Sequence, residues 1–452
     1  MPASPHATFA FHSPLPTNDL AALLRSGEIP LADYLAELAE RFTAVEPHIQ
    51  AFVPEDGRFD RLYREAQHLL ATYPDPATRP SLFGLPVGVK DIFHVAGFTT
   101  RAGCQLPTDL LQGAEAESVR RLRAAGALIV GKTITTEFAY FAPGPTHNPH
   151  HLDHTPGGSS SGSAAAVSAG LCSLALGTQT IGSISRPAAF CGVVGYKPSY
   201  ERISRAGVIP LSPSCDHVGY FAPDVAGAAL AAPVLVDGWR GTAVSRPPRF
   251  AIPDGPYLDR ASLEGLAHFQ TTCEQLKTAG FEVKSVAAMA DFADIYTHHN
   301  QIVAAEAAQV HADWFARYAH LYHLKSAELI RRGLAVSAEQ LAAARAGRQQ
   351  LRRTLLRQMA EQDIDVWLSP AALGAAPAGL DSTGDPVMNL PWTHAGLPTI
   401  TLPTGANPIG LPFGLQLTGR WQADEQLLGW ASQIEKIVKL YRPQGFANEN
   451  LD

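Results

Sequence analysis

The 452 residues carry 46% hydrophobic and 17% charged side chains and a formal net charge of -7. This is the profile of a globular chain with a large core, and it excludes the collagenous, disulfide-rich and disordered classes. The acidic surplus argues against a nucleic-acid phosphate footprint or an anionic membrane surface as main partner, and leaves as the expectation a target that is small and uncharged, or one not selected by global charge.

The five cysteines (Cys104, Cys172, Cys191, Cys215, Cys273) are odd in number and form no C-x-x-C pair, so neither a disulfide framework nor a zinc site is indicated and a reducing cytoplasm fits. The first residues, MPASPHATFAFHSPLP, lack the basic start and apolar run of a secretory signal. No apolar stretch reaches the ~18 residues a bilayer span needs, so a cytoplasmic chain without membrane contact is expected.

In chain order, residues 1–60 read as a helical opening segment, with two helical patterns split at Gly27 and Pro30. LFGLPVGVKDIF is β-prone and punctuated by glycine and proline. ESVRRLRAAGALIVGKT reads as a helix, a glycine stop at Gly126 and a buried strand. TPGGSSSGSAAAVSAG, residues 155–170, has the composition of a flexible linker. Its neighbours argue otherwise, because a small-residue helix (SAAAVSAG) and a strand (LCSLALGT) follow at once. Residues 301–361 read as long helices with a capping box at Ser337, and the C-terminal part returns to short strands before the helix DEQLLGWASQIEKIVKLY. The alternation gives an α/β chain with a mixed or parallel sheet flanked by helices, and no tract is long enough to divide it.

Two serine-bearing loops stand out. Ser159 follows two glycines; Ser183 lies 24 residues later in GTQTIGSISRP, far enough for one helix and one strand to return the chain to the same end of a sheet. A serine hydroxyl needs a base, and no G-x-S-x-G elbow is present. Lys90, set in an apolar segment, would have its pKa lowered by desolvation and is a candidate. Pattern alone does not pair it with either serine.

Together GLPVGVKDIF, AAGALIVGKTITTEF, NPHHLDHTPGGSSSGSAAAVSAGL, LALGTQTIGSISRPAAFCGVVGYKPS and GLPTITLPTGANPIGLPFGLQLTGR resemble the amidase signature family, in order from about residue 18 to the C-terminal helix. The resemblance implies one amidase domain over residues 1–452 with an α/β/α fold around a large central mixed sheet covered by helices on both faces. The signature core would occupy 80–225, and a variable helical region at 290–360 would shape substrate access. It also implies a Ser, cis-Ser, Lys triad. Lys90 matches the lysine of the KD motif, Ser159 the serine bridging it to the nucleophile through a cis Gly158–Ser159 peptide, and Ser183 the nucleophile. The backbone N–H groups of Thr180, Ile181, Gly182 and Ser183 would form the oxyanion hole, at about 3 kcal/mol per well-placed donor. No metal and no cofactor is implied.

Against the commoner GTDTGGSIRIPA, this chain has Gln179 for Asp, Ile181 for the first Gly and Ser185-Arg186 for Arg-Ile. A β-branched residue at 181 requires a negative φ there. Tyr140 and Phe141 fall where relatives line the acyl pocket, and are equally readable as core aromatics. His147, His150, His151 and His154 cluster among prolines that forbid a helix aligning them, so a metal site is not expected. Arg345, Arg348, Arg352, Arg353 and Arg357 form a basic stripe that reads as a solvated face. His298, His299 and Trp314 fall in the least family-like stretch.

Three functions are compatible with these residues. The leading one is a serine hydrolase cleaving carboxylic amide C–N bonds through an acyl-enzyme, extending to esters and carbamates (urethanes), with aryl or alkyl small-molecule substrates, no nucleic acid or membrane partner, and homodimers as in relatives. The alternative is the glutaminase subunit of a tRNA-dependent amidotransferase, whose loop often reads GSQTAGSVIRPA and which works with partner subunits. The third is a binding protein with catalysis lost, which the intact Lys90, Ser159 and Ser183 disfavour.

Overall fold

The computed structural model describes residues 15–241 and 244–438. The reading of residues 1–14 and of the last residues of the C-terminal helical pattern lies outside them. The opening segment forms helices Thr17–Ser26 and Leu31–Ile49. Gly27, at φ 84, accepts the left-handed turn that ends the first, and Pro30 caps the second without needing an N–H of its own.

Ten strands form one sheet: β1 (Pro86–Lys90), β2 (Leu128–Thr133), β3 (Leu174–Gln179), β4 (Val194–Lys197), β5 (His217–Ala222), β6 (Phe250–Asp254), β7 (Val283–Ala287), β8 (Val366–Pro370), β9 (Thr399–Ala406) and β10 (Pro412–Thr418). Their order is β2-β1-β3-β5-β4-β9-β10-β8-β6-β7. β2, β1 and β3 are parallel to one another, the middle of the sheet is antiparallel, and β8, β6 and β7 are parallel again. The fold is the mixed-sheet α/β architecture expected. Every residue of β1, β2 and β3 is buried, which is why they read as near-continuous apolar runs rather than alternating ones.

β1 and β3 end side by side at their carboxyl edge, where open parallel sheets form a crevice. The helix Ser161–Ser168 crosses from β2 toward β3 and must be built of small residues. A Cβ on Gly162 would come within 2.1 Å of the Ala51 carbonyl. Serines hold this segment to the sheet, Ser163 Oγ donating to Leu176 O at 2.8 Å and Ser160 Oγ to Thr178 O at 3.2 Å. The serine-glycine run is therefore a packed loop and helix start, not a linker.

Residues 290–360 form helices Phe292–Val310, Ala312–Tyr318, Leu324–Leu334 and Ala338–Glu361, the last opened by the Ser337–Gln340 capping box. The arginine stripe on that last helix is not simply solvated. Arg345 donates to Glu306, Arg348 lies over the Tyr200 ring, and Arg352 lies over Trp421 while donating to Ala395 O. Guanidinium planes stack on aromatic faces, a use that helix-surface periodicity does not reveal. Trp314 stacks on Phe138, tying this helical region to the segment after β2. No helix among the described residues is long and apolar enough to cross a membrane.

Candidate active site

Lys90 closes β1 and is fully buried. Its Nζ donates to Ser159 Oγ at 2.7 Å and to Thr178 Oγ1 at 2.8 Å. Burial holds its pKa well below the usual lysine value, and the charge of Asp216 only partly opposes this. A neighbouring lysine makes the contrast. Lys132 on β2 is almost as buried, but it touches the Asp91 carboxylate at 2.6 Å and so has a counter-charge, whereas Lys90 has two neutral hydroxyls. A neutral amine keeps one lone pair and two N–H donors, which is what a base between two hydroxyls needs.

The Gly158–Ser159 peptide is cis. Its carbonyl side is held by Arg186, a fully buried guanidinium donating to Gly158 O at 2.6 Å, Gly384 O at 2.7 Å and Thr383 Oγ1 at 3.0 Å. Burial pulls the Arg186 pKa down to about 9. Ser183 is 7% exposed against 1% for Ser159, so it is the member of the three nearest the opening. No hydrogen bond joins Ser183 to Ser159 among the described residues, as is common before substrate tightens a site.

The loop carrying Ser183 is wrapped around one amide. Gln179 Oε1 accepts from the N–H groups of Ile184 (2.7 Å) and Ser185 (2.9 Å), while its Nε2 donates to Thr393 Oγ1 at 2.9 Å. Thr393 Oγ1 in turn donates to Ile181 O at 2.6 Å. Ile181 has a negative φ, as its side chain requires. No acceptor among the described residues takes a hydrogen bond from the N–H of Thr180, Ile181, Gly182 or Ser183. A side chain at position 182 would displace its neighbours, since a Cβ there would sit 2.3 Å from Asn389 Oδ1 and 2.8 Å from Pro386. Thr180 Oγ1 donates to Asp216 at 2.6 Å; Asp216 also accepts from the N–H groups of Leu211 and Ser212, and burial raises its pKa to about 6.

Tyr140 and Phe141 pack ring to ring at 4.6 Å, and Phe141 leans on the cluster containing Ile181. Tyr140 is not a free pocket wall, because its hydroxyl accepts from Arg332 at 2.8 Å. A chamber of about 240 Å³ adjoins Thr178 and Asp216, lined by Ile92, Ala139, Ile209 and Leu211 among others. His150 binds Cys191 O and His147 binds Leu152 O, so these rings serve the connecting loop. Among the described residues no three His, Cys, Asp or Glu side chains are placed to hold a metal ion. His299 is fully buried and meets His394 at 3.3 Å rather than facing a channel.

Sequence reasoning does not reach Thr178, Asp216, Asn389 or Thr393. A lone threonine in an otherwise apolar strand is the available signal for Thr178, and an isolated acid at the head of a buried strand the one for Asp216. Asn389 and Thr393 reach the loop from more than 200 residues away and leave no local mark.

The amidase family model matches residues 33–428. A curated relative from Synechococcus sp. (strain RCC307), the A subunit of glutamyl-tRNA(Gln) amidotransferase, is 32% identical, covering 95% of this chain and 99% of that protein. A solved structure described as an amidase is 30% identical with a TM-score of 0.85, covering 94% of this chain and all of that one. The peptide amidase of Stenotrophomonas maltophilia is 28% identical with a TM-score of 0.80, covering 95% and 98%. The corresponding amidotransferase subunits of Prochlorococcus marinus and Roseiflexus sp. match at 31%. These relatives overturn the expectation of a small-molecule amide, ester or carbamate partner with nucleic acid excluded, since they are named for an aminoacylated tRNA. The physical reason is that net charge reports only one chain's own phosphate footprint and is silent about what a protein of several subunits acts on. Nor do their names favour carbamates or esters over amides. On the extent of the match and the shared fold, the chain belongs to the amidase family, whose members hydrolyse C–N bonds of amides.

Proposed function

We propose that this chain is the ammonia-releasing subunit of a tRNA-dependent amidotransferase, cleaving the side-chain amide of glutamine through an acyl-enzyme. The observation that carries the chemistry is the 2.7 Å contact of a buried, carboxylate-free Lys90 with Ser159. The amidotransferase reading is supported by relatives of 30–32% identity that share this name over nearly their whole length.

In this reading the Ser183 oxygen attacks the amide carbon while its proton passes to Ser159, whose own proton passes to Lys90 Nζ. The carbonyl oxygen, now negative, is taken by the waiting N–H groups of Thr180, Ile181, Gly182 and Ser183. As the tetrahedral intermediate collapses, the C–N bond breaks, the relay runs backwards to protonate the nitrogen, and ammonia leaves. Water then enters by the same relay, splits the ester on Ser183 and restores it. The ammonia then attacks the side-chain carboxyl carbon of a glutamyl-tRNA held by a partner subunit, after a phosphoryl donor such as ATP has turned one carboxylate oxygen into a phosphate leaving group, so that the C–N bond forms as the C–O bond breaks and phosphate departs.

The test is ammonia release from glutamine by the purified chain alone and with the partner subunits, glutamyl-tRNA(Gln) and ATP as the phosphoryl donor that activates the glutamyl carboxylate. Release that rises on adding them, with glutaminyl-tRNA formed in step, is expected. No glutamine hydrolysis in the assembled mixture, alongside brisk hydrolysis of peptide amides by the chain alone, would overturn the amidotransferase reading and leave the acyl-enzyme chemistry standing.

A further inference from the structure

We propose that Thr393, oriented by Gln179, is a positioning residue that sets the oxyanion loop. This rests on the reading of Ser183 as nucleophile. Hydrogen-bond direction decides the matter. The orientation of the Gln179 amide is not free, because two backbone N–H groups, those of Ile184 and Ser185, both need its oxygen. Its nitrogen therefore faces Thr393 and, being a pure donor, occupies a lone pair of the Thr393 hydroxyl. The single hydroxyl proton must point elsewhere. Two carbonyls are in reach, Ile181 O at 2.6 Å and Asn389 O at 3.1 Å, and the shorter contact takes it.

The planar peptide transmits this hold. Across a trans peptide the C=O of one residue and the N–H of the next point in opposite directions. Fixing Ile181 C=O onto Thr393 turns Gly182 N–H away from Thr393, where it finds no protein acceptor among the described residues. The same glutamine fixes the chain just after the nucleophile, so Ser183 is held from both sides by one amide and one hydroxyl. Neither group reaches the reacting atoms; both act through the loop.

An Asp at position 179 is the instructive comparison. A carboxylate would still accept from the two N–H groups, but it would also attract the Thr393 proton and release Ile181 O. Gln179 and Thr393 thus form a pair whose directionality depends on the amide.

The experiment uses a fluorophosphonate probe, whose P=O oxygen gains charge as serine attacks, so that the loop is tested whatever the natural substrate is. Saturation kinetics of labelling are measured for Thr393→Val, Thr393→Ser and Thr393→Cys beside the wild type and Ser183→Ala. Thr393→Val is expected to lower kinact about 10- to 100-fold with KI within about two-fold, since one oxyanion donor is worth roughly 10² to 10³ in rate. Thr393→Ser should restore most of the loss, and Thr393→Cys, a weaker donor of similar size, should fall between and serves if the valine variant does not fold. Wild-type kinact in the valine or cysteine variant, or equal losses in serine and valine, would overturn the inference while label on Ser183 keeps the nucleophile reading. Undiminished labelling of Ser183→Ala would take down both.

Discussion

Lys90 Nζ and Ser159 Oγ lie 2.7 Å apart, the lysine with no exposed surface and the serine with 1%. A lysine in that position has lost its water, and in exchange it has Ser159 and Thr178, neither of which carries charge. The charged form is therefore the disfavoured one, and its effects on rate and on stability each have a definite sign.

The acid limb of the rate profile should report Lys90. Burial depresses its folded-state pKa well below 10.5, so activity should fall as the pH drops through that lowered value and the amine takes up a proton. Between the folded-state pKa and about 10.5 the unfolded chain binds a proton that the native chain does not, so this group makes stability rise with pH across that window. Lys90→Met removes the slope. The melting temperature of wild type relative to Lys90→Met should climb with pH up to about pH 10; a difference that stays flat would mean Lys90 is charged in the fold.

Thr178 holds the other side of the same amine. Thr178→Val should leave Lys90 free to swing from Ser159, lowering kcat about 10-fold or more, a part of what a general base contributes. Thr178→Ser should return it. Equal losses in both variants, read as kcat against KM, would place the effect in packing.

Gly182→Ala should cost about 100-fold in kcat, because the added methyl meets Asn389 Oδ1 and Pro386 and the loop must move off its donors. Asn389→Ala opens space at that contact, so the double variant should recover part of the rate. No recovery would locate the damage elsewhere.

Asp91→Asn tests stability apart from chemistry. It leaves the buried Lys132 ammonium without its carboxylate, a loss of about 3–5 kcal/mol in unfolding free energy. Replacing both, Asp91→Leu with Lys132→Met, should be much milder, as denaturant unfolding would record.

Much of the site is legible in sequence where its chemistry sits inside one contiguous motif. Lys90, Ser159 and Ser183 each stand in a short segment whose glycines and apolar residues mark a strand end or a tight loop, and the cis Gly158–Ser159 peptide comes with the family resemblance. Helix limits at Gly27, Pro30 and Ser337 follow from backbone constraints local to those residues. The features that escape are carried by contacts distant along the chain, such as Thr393 on Ile181 O and Arg348 on Tyr200. The tRNA for which the relatives are named escapes for a different reason, since net charge on one chain does not report what a protein of several subunits acts on.

Ser183 as the nucleophile, activated through Ser159 by Lys90, is the centre of this mechanism. Its most direct test is stoichiometric labelling with a fluorophosphonate, with the modified peptide then mapped. One label per chain on Ser183, absent in Ser183→Ala and slowed in Lys90→Met, is the result expected. Label on another residue, or amide hydrolysis that survives in Ser183→Ala, would contradict it.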